Sequence, residues 1–160
     1  MGLNELSGVL WRERQLLELL LFKLEEEQLI LTSGKSQWLG HATREVESVL
    51  DQIRGVELGR AIEAEDAALE LGLEEGSSLL ALAQRAPAPW DALLRDHHQA
   101  FVDLTDQINA LAVANRELLS TSHRATQETL MTLQDSVRTY DPTGAATGAT
   151  GSVQLLDQAL

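Results

Sequence analysis

Between Trp90 and Leu118 the spacing of apolar residues leaves the chain little choice of conformation. Trp90, Leu94, His97, Phe101, Leu104, Ile108, Leu111, Asn115 and Leu118 follow one another at strictly alternating steps of four and three residues. Such a run stays on one face only if the backbone is helical, because a strand would send successive residues to opposite faces. After Leu118 the register slips by an added four-residue step, a stutter, and resumes as Ser122, Thr126, Leu130, Leu133, Val137 and Tyr140. The pattern predicts one helix from about Pro89 to Tyr140, ended by Asp141-Pro142-Thr143-Gly144. At 1.5 Å per residue it reaches about 75 Å.

Two helical segments precede it. In the first, Leu3, Leu6, Leu10, Leu17, Leu20, Leu24 and Leu31 form a seam, with Glu13 and Glu27 filling two of its positions. Leu16, Leu19, Leu21 and Phe22 widen the stripe, which predicts cover by more than one partner. Thr32-Ser33-Gly34-Lys35-Ser36 breaks the pattern, with Gly34 suited to a helix C-cap and Ser36 to the next N-cap. So short a connection makes the two helices antiparallel neighbours. The second segment, from Gln37, carries Leu39, Ala42, Val46, Val49, Ile53 and Val56, then more weakly Ala61, Ala64, Ala68 and Leu71. Gly55 and Gly59 fall inside it, where each costs about 1 kcal/mol relative to alanine, and close approach of a neighbour is the expected reason. From Gly72 to Pro89 the signal is weak, with one short helix over 77–84 capped by Ser77. The first two helices span only about 45 Å each, so part of the third lacks an intramolecular partner.

The fold expected is all-α: an elongated antiparallel helical hairpin plus a long C-terminal helix, in a three- to four-helix arrangement. Residues 1–140 form a single helical domain and 141–160 a flexible tail. Ala145 to Ser152 contains only Ala, Thr, Gly and Ser, and the apolar spacing of Val153, Leu156 and Leu160 is too short for a stable helix.

Composition narrows function. With 25 Asp and Glu against 12 Lys and Arg, the net charge is -13, which excludes the clustered cations a nucleic-acid binder needs. The absence of cysteine excludes disulfides, thiol nucleophiles and Cys-based metal sites. Leucine and alanine dominate over only two Phe, one Tyr and three Trp, which favours helix over strand. The start Met1-Gly2-Leu3-Asn4-Glu5 has no basic leader, and the densest apolar run, Leu16 to Leu24, is broken by Glu18 and Lys23. No membrane insertion is expected, and the compartment expected is the cytoplasm.

No constellation of catalytic residues emerges. His41, His97, His98 and His123 do not share a metal-binding helical face, and His97, on the seam, is expected to be buried rather than a ligand or a pH switch. Gly34-Lys35-Ser36 copies the end of a phosphate loop without its first glycine or its strand. Carboxylate pairs on acidic helices read as solvated charge. The chain is therefore expected to be no enzyme and to take no cofactor or metal. Trp38-Leu39-Gly40 resembles the turn of small secreted Trp-x-Gly helical hairpins, an alternative reading; those chains are nearer 100 residues and lack a third long helix.

Two stretches carry a fuller resemblance. The first is Leu16-Leu17-Glu18-Leu19-Leu20-Leu21-Phe22-Lys23-Leu24-Glu25-Glu26-Glu27-Gln28-Leu29-Ile30-Leu31, with Gly34, Trp38-Leu39 and Arg44-Glu45-Val46-Glu47. The second is Ala114-Asn115-Arg116-Glu117-Leu118-Leu119, with Thr129-Leu130, Leu133 and Thr139-Tyr140-Asp141-Pro142-Thr143-Gly144. Together they resemble the FlgN family of flagellar export chaperones, in wording nearest to actinobacterial members. The resemblance implies a cytoplasmic chaperone that binds hook–filament junction (hook-associated) proteins, prevents their premature assembly and delivers them to the flagellar type III export apparatus. It implies that the C-terminal helix takes the client, and that Tyr140 or its neighbourhood engages an export gate component.

The residues lead the same way. A helix that outruns its partners offers a stripe to another amphipathic helix, here Leu118, Leu130, Leu133, Val137 and Tyr140, while acidic charge keeps it soluble. The alternative is a self-associating coiled coil, a homodimer that covers the stripe with a second copy. Asn115 suits either, since a buried Asn fixes register.

Overall fold

The computed structural model describes residues 2–139, and these are all-α. The elements are α1 (Gly2–Ser33), a 3₁₀ turn (Ser36–Trp38), α2 (Leu39–Glu70), α3 (Leu79–Arg85) and α4 (Trp90–Thr139). The chain divides into two compact units, Met1–Arg116 and Glu117–Leu160. Residues 141–160, assigned to a tail on sequence, lie outside the described range.

In the first unit α1 and α2 pack closely as the expected hairpin, through small residues that let the backbones approach: Gly2, Ser7, Ala42, Ala67 and Ala68 are all buried. At Gly2 the approach is closest, since an added Cβ would lie 3.0 Å from the Ala67 nitrogen. The N-terminal part of α4 packs on the hairpin, with Leu94 inside one apolar cluster and the Asn115 side-chain amide on the Leu24 carbonyl at 2.9 Å. Two apolar clusters result. One joins Leu3, Leu6 and Leu10 of α1 with Ala67 and Ala68 of α2, Leu82 and Ala83 of α3, and Leu94 of α4. The other joins Leu16, Leu20 and Leu24 with Val49 and Ile53, and Ile108, Leu111 and Ala112 pack against it from α4.

The seam of α4 is observed as read: every member from Trp90 to Leu118 is buried or half-buried. The α1 seam is observed with one displacement, Leu16 taking the buried place expected for Leu17, because a straight helix drifts relative to a 3.5-residue repeat. Glu13 and Glu27 occupy the buried seam positions they fill in the sequence. α1 is covered by more than one partner, as expected, with α2, α3 and α4 all packed on it, although Leu19 and Phe22 of the widened stripe stay exposed, Phe22 by 59%.

Three local expectations are corrected. Ser36 opens the 3₁₀ turn instead of capping α2, which starts at Leu39 with no side-chain cap. Ser78, not Ser77, caps α3 by accepting the Ala81 N–H at 3.2 Å, while Ser77 donates back to the Glu74 carbonyl. Gly55 and Gly59 have nothing within 4 Å of where a Cβ would sit, so no neighbour explains them. Gly34 does end α1 as expected, with φ +73, a conformation open to glycine and strained for other residues.

Candidate functional site

In the second unit, the described part of α4 exposes most of its surface. Helical geometry places Leu130, Leu133 and Val137 within an arc of about 60°. Leu133 and Val137 are 48% and 49% exposed, and Leu130 is half-buried. Leu118, also half-buried, belongs to the earlier phase of the seam and sits about 60° around the helix from Leu133. The stutter therefore separates Leu118 from the other three. Tyr140 lies outside the described residues. Met131, 65% exposed, adds apolar surface that the seam reading passed over because it falls off the stripe.

Four hydroxyls of this segment are bound to their own helix. The hydroxyls of Thr126, Thr129, Thr132 and Ser136 each donate to the carbonyl four residues earlier, at 2.9–3.0 Å. Thr126 lies within the apolar arc, and Thr129 and Ser136 flank it. With their donors engaged, these side chains present methyl and methylene groups outward, and an apolar partner can cover them without stranding a donor.

In the first unit three polar layers interrupt the core. Glu27 Oε1 accepts from Asn115 Nδ2 at 3.2 Å and Oε2 from Thr43 Oγ1 at 3.4 Å, so one buried carboxylate joins α1, α2 and α4. Glu13, 3% exposed, takes Arg60 Nη1 on Oε1 at 2.9 Å. Burial pushes the Glu13 carboxyl up from its ordinary range, Arg60 opposes this and Glu57 adds to it. His97 is fully buried against the edge of Trp11, with ring centroids 4.7 Å apart, and stacks on Phe101. Burial lowers its pKa, the Arg14 guanidinium lowers it further, and Asp96 works the other way. The sequence marked Glu13, Glu27, His97 and Asn115 as seam residues. It gave no sign of Arg60, Thr43 or Trp11, because periodicity tells which face a residue occupies and not what stands opposite.

A cleft of about 610 Å³ opens in the first unit, floored by Leu6, Leu10 and Leu82 and walled by α2 and α4. Among the described residues no group of three or more His, Asp or Glu is placed to hold a metal ion, and no helix is long and apolar enough to cross a membrane. The buried carboxylates Glu13 and Glu27 sit in separate layers, each held by its own partner.

The family model described as FlgN protein matches residues 1–148. No curated protein and no solved structure matches the chain.

Proposed function

The chain belongs to the FlgN family, and from that premise we propose that it is a cytoplasmic chaperone that holds hook–filament junction proteins on the second unit of α4. Membership carries the general role of a flagellar export chaperone, in a family of chaperones rather than enzymes. The finer reading assigns the client to Leu118, Leu130, Leu133, Val137 and Tyr140, with prevention of premature assembly and delivery to the export apparatus as the consequence. The observation that supports it is the apolar arc of Leu130, Leu133 and Val137, exposed on a helix whose flanking hydroxyls are engaged with its own backbone. A client's amphipathic helix fits such a face in the helix-in-groove mode. Contact of the Tyr140 neighbourhood with an export gate component belongs to the same proposal.

Light scattering on the chain alone and mixed with a purified hook-associated protein tests this reading. A monomer that becomes a one-to-one complex is expected. A stable homodimer that dissociates only when Leu130 and Leu133 are replaced, and that takes no client, would overturn it in favour of a self-associating coiled coil.

A further inference from the structure

The cleft of the first unit lies outside the client surface, and its construction suits a ligand. The cleft reaches down to Leu6, Leu10 and Leu82 of the unit's core, which are at most 1% exposed. From α2 the cleft is lined by Ala61 and Ala64 as its apolar residues, beside Glu57, Arg60 and Glu65. The volume of about 610 Å³ falls within the range of ligand pockets. Phe101 and Val102 wall the α4 side. On α2, Leu58 and Ile62, 70% and 56% exposed, lie beside Ala61 and extend the apolar surface out of the cleft.

The rim decides what can enter. Glu57, Glu65 and Asp106 stand around an apolar floor, and the guanidinium of Arg60, which also lines the cleft, is engaged with Glu13 at 2.9 Å. The field over the opening is therefore negative. Residues 153–160 of this chain, Val-Gln-Leu-Leu-Asp-Gln-Ala-Leu, bring Asp157 as their one charge and would meet like charge at the rim. A second copy brings a net charge of -13 and is repelled. We propose that this cleft receives the apolar anchors of a basic amphipathic helix from another protein, leucine-sized side chains entering above Leu6, Leu10 and Leu82 and flanking Lys or Arg residues pairing with Glu57, Glu65 and Asp106.

The native chain has no cysteine, so single replacements report on single places. Thr105→Cys puts a thiol in the cleft wall, and Ser120→Cys puts one on the second unit as a control. The probe is a synthetic 18-residue Leu/Lys amphipathic helix, with a Leu/Glu helix of the same pattern as its charge-reversed counterpart. Expected is alkylation slowed at least about tenfold at position 105 by saturating Leu/Lys helix, with position 120 unaffected and the Leu/Glu helix inert. Ala61→Phe, or Ala61→Leu should the larger residue unfold the chain, should abolish this protection while circular dichroism stays unchanged. Protection at 120 and not at 105, equal protection by the Leu/Glu helix, or protection that survives filling the cleft would overturn the proposal. So would protection without peptide that grows with protein concentration, which would assign the cleft to a second copy. Faster alkylation at 105 after removal of residues 153–160 would assign it to this chain's own tail and equally overturn the proposal.

Discussion

Asn115 of α4 donates its Nδ2 to Glu27 Oε1 of α1 at 3.2 Å and shares that donor with the Leu24 carbonyl oxygen at 2.9 Å. One side-chain amide thus fastens two consecutive seam positions, 88 and 91 residues away in sequence. An apolar residue at 115 could fill the same space, but it would not distinguish this register from a slip of one turn.

Asn115→Ala should cost about 1–3 kcal/mol, because Glu27 stays buried with one of its donors gone. Replacing Asn115 and Glu27 together by leucine should cost much less than the two single changes summed, since no polar group is then stranded. A double-mutant cycle by urea denaturation measures the coupling, and additive costs would show that the contact contributes nothing.

Arg60→Ala should destabilise most at neutral pH. Burial raises the folded-state pKa of Glu13 above its ordinary 4.5, so the fold takes up a proton where the unfolded chain has lost one. Glu13 then disfavours the fold increasingly as pH rises from about its unfolded value through its raised folded value. Loss of Arg60 raises that folded value further. The cost of Arg60→Ala, compared by urea denaturation at pH 7 and pH 4.5, should shrink at the lower pH, and Glu13→Gln should recover much of the loss at pH 7.

His97 gives the opposite slope. Its folded pKa lies below the ordinary 6.5, so the unfolded chain binds the proton first as pH falls. The neutral, buried ring supports the fold above about pH 6.5, and that support is lost as pH drops towards the lowered folded value. Urea midpoints at pH 7.5 and pH 5.5 should differ less in His97→Phe than in the native chain. Arg14 and Asp96, the charges that face the ring, are unchanged in that variant.

Replacing both Leu130 and Leu133 by glutamate should weaken binding of a hook-associated protein by about two to four decades, at roughly 1.5–3 kcal/mol for each leucine buried in the complex. Melting of the first unit should hardly move, because both clusters of its core lie within residues 3–112. Unchanged affinity in a well-folded double mutant would remove this face from client binding.

Gly55→Ala and Gly59→Ala should each stabilise the chain by about 0.5–1 kcal/mol, since both positions are helical and an added methyl meets nothing within 4 Å. Gly2→Ala should do the reverse, its Cβ falling 3.0–3.2 Å from the backbone of Asp66 and Ala67. Thermal melts of the three variants decide the matter.

Periodicity made α4 legible at nearly every position, because a seam of nine residues over eight steps averages out local exceptions. It was weaker where one residue decides. Ser77 and Ser78 are equivalent as caps on sequence, and only the path of the turn at Gly76, with φ +76, accompanies the choice of the second. Phe22 looked like core because it is large and apolar, yet the face it occupies meets neither α2 nor α4. The apolar stripe of α4 was readable as a pattern, whereas the cleft was not, because it is lined from four helices and a turn that no single run of residues brings together.

The hydroxyls of Thr126, Thr129 and Ser136 have a bearing on discrimination. Each points its hydrogen into its own helix, so these three side chains offer a neighbour contour and no donor. The amides of Gln127 and Gln134 fall on the edge of the arc opposite Thr129 and Ser136, about 40–60° around the helix from Leu130. The two edges therefore differ in chemistry, and a helix laid along the arc would fit one way round better than the other.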